Sequence, residues 1–129
     1  MREHSGTVLD LIGNTPLVPL RRIGAGLSVP ILAKCEHLNP GGSIKDRIAI
    51  SMIDAAEADG SLKPGGHIVE ATAGNTGIAL ALVGTQRGYE VTVVVPDKMS
   101  EGKISHLRAM GAEVIMARSD VEKGHPDYY

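Results

Sequence analysis

The sequence predicts an α/β protein built as a three-layer parallel sheet flanked by helices, and three observations carry that reading. Short β-branched runs alternate with longer segments of helical periodicity, which is the pattern of right-handed βαβ units. One of these runs, "EVTVVVP" (90–96), is apolar without interruption, as in a parallel strand covered on both faces. Glycine-rich turns, "NPGGSIKD" and "TAGNTG", stand where strands pass into helices.

The elements follow in order. "PILAKCE" (30–36) reads as a strand ended by the Pro-Gly-Gly break. "SIKDRIAISMIDAAEADG" (43–60) reads as a helix near 44–58, with Ser43 as N-cap, Ile44, Ile48, Met52 and Ala55/Ala56 at helical spacing, and Gly60 as the stop. "HIVEA" (67–71) is a short strand. The helix near 75–87 is almost wholly apolar or small, so it is expected to be buried, with Gly77, Ala79, Ala81 and Gly84 letting it lie close to a sheet. After the strand near 91–95 comes an amphipathic helix near 100–110 stopped by Gly111, then a strand near 113–117. The tail "RSDVEKGHPDYY" has turn composition. The alternation calls for one more helix there, so an exposed apolar patch or unpaired sheet edge is expected near the last strand.

Composition narrows the function. The 129 residues are 43% hydrophobic and 22% charged, with a net charge of −2 and neither Trp nor Phe. Such a chain offers no basic field and no stacking platform, so no nucleic-acid partner is expected. No apolar run approaches the ~18 residues of a membrane span. A single cysteine and an N-terminus without a long apolar segment point to a reducing, cytoplasmic setting. His4, His37, His67, His106 and His125 are dispersed, without metal-ligand spacing, so metal binding is not expected. Cys35 alternates with Ile31 and Ala33 and reads as a small buried hydrophobe. Met99, Met110 and Met116 read as core filler, His37 as a loop residue, and Asp46 and Arg47 as structural pairs near a helix start.

In open α/β sheets ligands bind at the carboxyl ends of strands. Both glycine-rich turns put exposed N–H groups of a helix start there, which favours anions. Neither is a Walker A loop, since Asp46 follows the lysine, and no GxGxxG or GxSxG occurs. Lys45 stands in the first turn of its helix, where the macrodipole disfavours a cation. Positive potential favours the neutral form of an amine, the form that condenses with an aldehyde. The plainer reading is a solvated lysine paired with Asp46 or Glu70. Thr76 is open to a plain role as helix cap.

"IGNTPL" (12–17), "EHLNPGGSIKDR" (36–47), "EATAGNTGIALA" (70–81) and "MGAEVI" (110–115) together resemble the cysteine synthase/cystathionine β-synthase family. These are pyridoxal-phosphate (PLP) enzymes of the tryptophan-synthase-β fold type, also called fold type II. The resemblance runs in order over nearly the whole chain. It implies an incomplete, N-terminal portion of such an enzyme, with residues 1–40 part of the large domain and 41–129 most of the small N-terminal domain. It implies that Lys45 holds PLP as a Schiff base and that Asn75 bonds the cofactor's ring hydroxyl. Thr72, Ala73, Gly74, Asn75 and Thr76 would clamp the substrate carboxylate.

The implied reaction is β-replacement on a serine-derived amino acid. The freed Lys45 amine removes the α-proton, a group leaves Cβ, and sulfide or a thiol adds. That is cysteine synthase chemistry (O-acetylserine or similar plus sulfide) or cystathionine β-synthase chemistry (serine plus homocysteine). A non-catalytic relative binding a carboxylate ligand or a partner is the alternative class. A homodimer is implied for the full-length form. Ala73 and Ala71 depart from the family's usual serine and proline. The family's phosphate loop and the residue opposite the pyridine nitrogen lie further along the chain, so weak PLP affinity is expected of these 129 residues.

Overall fold

The chain's structure, a computed structural model, describes residues 6–128; His4 and Tyr129 lie outside them. A 3-10 turn at Val8–Leu11 is closed by a capping box between Thr7 and Asp10. Strand β1 (Leu17–Pro19) then pairs antiparallel with β2 (Leu32–Lys34). The strand expected over 30–36 is thus shorter. Its partner, three residues that directly follow Pro16 and end on Pro19, leaves little local pattern. Cys35 leads into a second 3-10 turn, Glu36–Leu38, so it caps a turn instead of filling a core and is half-buried.

Three helices and three strands follow: α1 (Lys45–Ala58), β3 (His67–Ala71), α2 (Asn75–Gln86), β4 (Glu90–Pro96), α3 (Glu101–Ala109) and β5 (Glu113–Ala117). The sheet order is β3-β4-β5, parallel throughout, with Ala71 opposite Val94 and Val94 opposite Ile115. The expected elements are present, with bounds moved by a residue or two. Gly60 and Gly111 adopt φ of 78° and 92° just beyond α1 and α3, a region costly for any side chain.

Packing explains how α2 is held. Residues Gly77 to Gly84 are buried without a break. Ile78 and Ala81 of α2 share one cluster with Val91, Val93 and Val95 of β4 and Leu107 of α3. Both crossover helices therefore cover the same sheet face. At Gly77 a Cβ would stand 2.9 Å from Val93 Cγ1, and at Gly84 one would stand 2.6 Å from Val91 Cγ2. Glycine at these two places is what lets backbone lie on β-branched side chains. Ala79 instead faces α1, in a second cluster with Ala49, Ile53, Leu80, Val83 and Tyr89.

Helix α1 buries a different stripe from the expected one. Ala49 and Ile53 pack on α2 and Asp46 is fully buried, while Ile44, Ile48 and Met52 are 52%, 40% and 48% exposed. Apolar residues lie on more than one side of α1, and small Ala49 permits the closer approach. Met99 and Met110 do pack on the core, but Met116 is 60% exposed and is not filler.

The second face of the sheet is only partly covered among the described residues: Val69 is 62% and Ile115 48% exposed, while Thr92 between them is buried beside the His67 and Glu113 side chains. β5 pairs with β4 alone among the named strands. This matches the expected apolar patch beside an edge strand, a template for self-association. Val69→Lys and Ile115→Lys should each change stability by less than about 0.5 kcal/mol while lowering the apparent mass in concentrated solution by light scattering. Unchanged association in the double variant would remove this face from consideration.

Candidate active site

The two helices that bear the predicted residues run the same way. Their C-terminal ends are tied together, because Arg87 just past α2 bonds Asp54 at 2.6 Å and Glu57 at 3.0 Å. Tyr89 donates to Glu57 at 2.6 Å from the same place. With those ends joined and the bodies packed through Ala49, Ile53, Ala79 and Val83, Lys45 and Asn75 open their helices at one end of the pair. That end lies at the carboxyl edge of the sheet, since Thr72 directly follows β3 and its N–H bonds Val94 O at 3.0 Å.

The two helix starts differ in a way the sequence reading treats as equal. At α1 the backbone is already helical at Ile44, so Ser43 is not the formal cap, yet its hydroxyl accepts the Lys45 N–H at 3.1 Å. The Asp46 and Arg47 N–H groups bond Ser43 O and Ile44 O. Within the helix this first turn is satisfied, and the Ser43 and Ile44 N–H groups just before it find no acceptor among the described residues. At α2 the cap is Gly74, which has no side chain to offer. Thr76, read as a possible cap, lies inside the helix. The N–H groups of Asn75, Thr76 and Gly77 find no acceptor among the described residues. The first turn of α2 itself therefore presents unclaimed donors to an anion, while at α1 the unclaimed donors stand just before the helix.

The predicted residues sit as follows. Lys45 is half-buried and forms no ion pair among the described residues, neither with Asp46 nor with Glu70. Asn75 and Ala73 are exposed; Thr72, Gly74 and Thr76 are half-buried. Thr72 Oγ1 accepts the Gly74 N–H at 3.2 Å, which folds the loop back before the helix. An unpaired amine on one helix start beside a nest of free N–H groups on the other fits an aldehyde-bearing cofactor with an anionic substrate. No group of His, Cys, Asp or Glu able to hold a metal occurs among the described residues.

Beneath Lys45 lies a polar framework that the sequence reading missed. Glu36 takes a two-pronged bond from Arg47, 2.8 Å from Nε and 2.9 Å from Nη2, and a 2.6 Å bond from Thr15. Asn39, 3% exposed, donates to Glu36 Oε2 at 2.9 Å and to Ser43 O at 3.0 Å, and accepts the Gly13 N–H at 2.8 Å. Arg47 is thus a structural pair as read, but with a partner 11 residues back. The buried asparagine in "NPGG" was the available signal, since a polar side chain before a tight turn is apt to satisfy the turn's backbone.

The Arg47 bond, with those from Thr15 and Asn39, holds the Glu36 carboxyl down at about 2, from an ordinary 4.5. A depressed carboxyl contributes stability above its unfolded value and loses it as pH falls toward the folded one. Unfolding free energy should therefore decline between about pH 4.5 and 2, more shallowly in Glu36→Gln. Burial pushes the Asp46 carboxyl the other way, with opposite sign. A steeper acid decline in Glu36→Gln would contradict the account.

Among the described residues no helix is long and apolar enough to cross a membrane. Residues 8–127 match the family model described as pyridoxal-phosphate dependent enzyme. The chain is 49% identical to cystathionine beta-synthase of Rattus norvegicus over 93% of its own length and 22% of the relative's. It is 55% identical to cysteine synthase 3 of Caenorhabditis elegans over 98% of its length and 36% of the relative's. In structure it resembles an O-ureido-L-serine synthase, with TM-score 0.85 and 43% identity over 92% of this chain and 37% of that one. It also resembles a hydrogen sulfide-producing enzyme of Fusobacterium nucleatum, with TM-score 0.80 and 45% identity over 89% and 38%. The chain spans between a fifth and two-fifths of these proteins.

Proposed function

The chain belongs to the pyridoxal-phosphate dependent enzymes, and from that membership we propose that it carries the amine and the carboxylate clamp of a β-replacement enzyme acting on a serine-derived amino acid. The observation that carries the reading is the pairing of helix starts: α1 brings an amine without an ion pair, and α2 brings free N–H donors at the same end. Lys45 would hold the cofactor through its aldehyde, and the same Nζ would carry the substrate's α-proton. The N–H groups of the 72–76 loop and the first turn of α2 hold and orient the substrate carboxylate. Asn75, at the head of that helix, donates to the ring hydroxyl. Bound PLP supplies the electron sink for the departing group. In the full-length form, residues 1–40 belong to the large domain and 41–129 to the small one, and the protein is a homodimer.

The acceptor we assign is sulfide, as in a cysteine synthase using O-acetylserine or a similar ester, supported by 55% identity to the worm cysteine synthase. The 49% identity to the rat relative favours the second reading, serine with homocysteine. Assays with each donor and acceptor pair, on a protein that spans the relatives' full length and contains these residues, separate the two. Cysteine formed faster than cystathionine supports the first, and the reverse order replaces it with the second. The reading as a whole is tested by adding PLP, reducing with borohydride and mapping the labelled lysine. Label confined to lysines other than Lys45 would refute it.

A further inference from the structure

We propose that Asp46 is the positioning residue for Lys45: its carboxyl locks the 41–44 loop onto the first turn of α1, and the lock needs an acceptor oxygen there, not a negative charge. The inference rests on the reading of Lys45 as the covalent lysine. Asp46 is 0% exposed and directly follows Lys45. Its Oδ2 accepts the Gly41 N–H at 2.6 Å, a bond back across the whole turn. Its Oδ1 is buried with no partner. No cation pairs with it among the described residues, since Arg47 is committed to Glu36.

A carboxylate in that position is expensive unless something requires it. Burial and the nearby charge of Glu36 push its carboxyl up, against the Gly41 N–H bond, which pulls it down. Gly41 is fitted to the same group. A Cβ on it would stand 2.4 Å from Asp46 Oδ1 and 2.9 Å from Cγ, so the glycine makes room for the carboxyl.

The remaining contacts show what the lock governs. Asn39 holds Ser43 O, and Ser43 Oγ holds the Lys45 N–H. Gly42 reverses the chain at φ 81°. Asp46 closes the loop from the far side, so the backbone of Lys45 is bounded before and after. A lysine side chain has four carbons and many rotamers, and the point from which it starts is what the fold can fix. Small errors at that origin are costly, since displacements near 1 Å lower reaction rates by roughly 10²-fold.

The test follows two signals in the parent chain, Asp46→Asn and Asp46→Ala: amide exchange at Gly41, and borohydride-trapped PLP on Lys45 against that on Lys34, Lys63 and Lys98. In trapping, Lys45 Nζ and the aldehyde carbon join with loss of water, and borohydride reduces the C=N bond. Asp46→Asn keeps an acceptor oxygen and should match the parent in both signals within about twofold, with the same pH profile of labelling. Asp46→Ala should speed Gly41 exchange and cut Lys45 labelling by roughly tenfold or more, leaving the other lysines unchanged, whereas general unfolding would raise label everywhere.

Parental labelling of Lys45 in a folded Asp46→Ala overturns the proposal. So does loss of labelling in a folded Asp46→Asn, which would make the charge essential. If Asp46→Ala does not fold, Asp46→Asn decides alone. If the parent itself gives no label on Lys45, the lysine reading fails separately, and unchanged Gly41 exchange in Asp46→Ala still overturns the lock.

Discussion

Lys45→Ala should abolish covalent capture of PLP at this position and, in a protein spanning the relatives' full length, lower turnover by at least about 10³-fold. The amine is proposed both to hold the aldehyde and to move the α-proton, so no neighbouring group replaces it. The fold should be spared. Lys45 is half-buried at the first position of α1 without an ion pair among the described residues, and alanine is the best helix former, so stability should shift by less than about 0.5 kcal/mol. Absorbance of the cofactor complex, turnover and thermal unfolding measured together separate the two effects. Asn75→Ala should keep the label on Lys45 and lose roughly tenfold in turnover, the scale of one hydrogen bond. Undiminished turnover in Lys45→Ala would sink the assignment.

Gly84→Val should be the most damaging core substitution. Its Cβ would stand 2.6 Å from Val91 Cγ2 and 3.1 Å from Ile68 Cδ1. Val91 is 3% exposed and stiff at its first torsion. The gain in helix propensity over glycine is a few tenths of a kcal/mol, while overpacking in a dense core costs about 3 kcal/mol. The melting temperature should fall by roughly 10 °C. Shrinking the neighbour in the same chain, Val91→Ala with Gly84→Val, should recover part of the loss. A Gly84→Val protein melting with the parent would show that α2 does not lie as close to β4 as described.

The sequence was most informative where one short-range pattern had one answer. The β-branched run of β4 and the glycines after α1 and α3 set element type and end points by local sterics. It was least informative where pattern allowed two answers. α1 carries apolar residues on several sides, and the choice of Ala49 and Ile53 over Ile44, Ile48 and Met52 is made by α2, which no local spacing reveals. At the candidate site, "GGSIKDR" and "TAGNTG" marked both helix starts. Their difference in capping depends on which hydroxyl reaches which N–H. Asp46 read as a structural pair near the helix start and has no ion pair among the described residues, for the same reason: its partner is the Gly41 N–H, five residues back, a bond visible only in three dimensions. The Arg47 and Thr15 bonds of the Glu36 framework join residues 11 to 32 positions apart, beyond any helical or strand period.

That framework has a consequence for the order in which the molecule opens. The segment before Lys45 is held by the Thr15, Glu36 and Asn39 bonds and is tied to α1 by Arg47. Among the described residues it touches the core only through Leu9 and Ile12, and its two strands, β1 and β2, bury almost nothing. The segment after it is held by a dry apolar core. Polar bonds near water contribute little net free energy each, and burial contributes much more. The first unit therefore opens at a smaller free energy than the second, as a separate cooperative step below global unfolding. Lys45 sits on the seam between them: its backbone and Asp46 belong to the rigid unit, and the Asn39 and Ser43 contacts before it belong to the soft one.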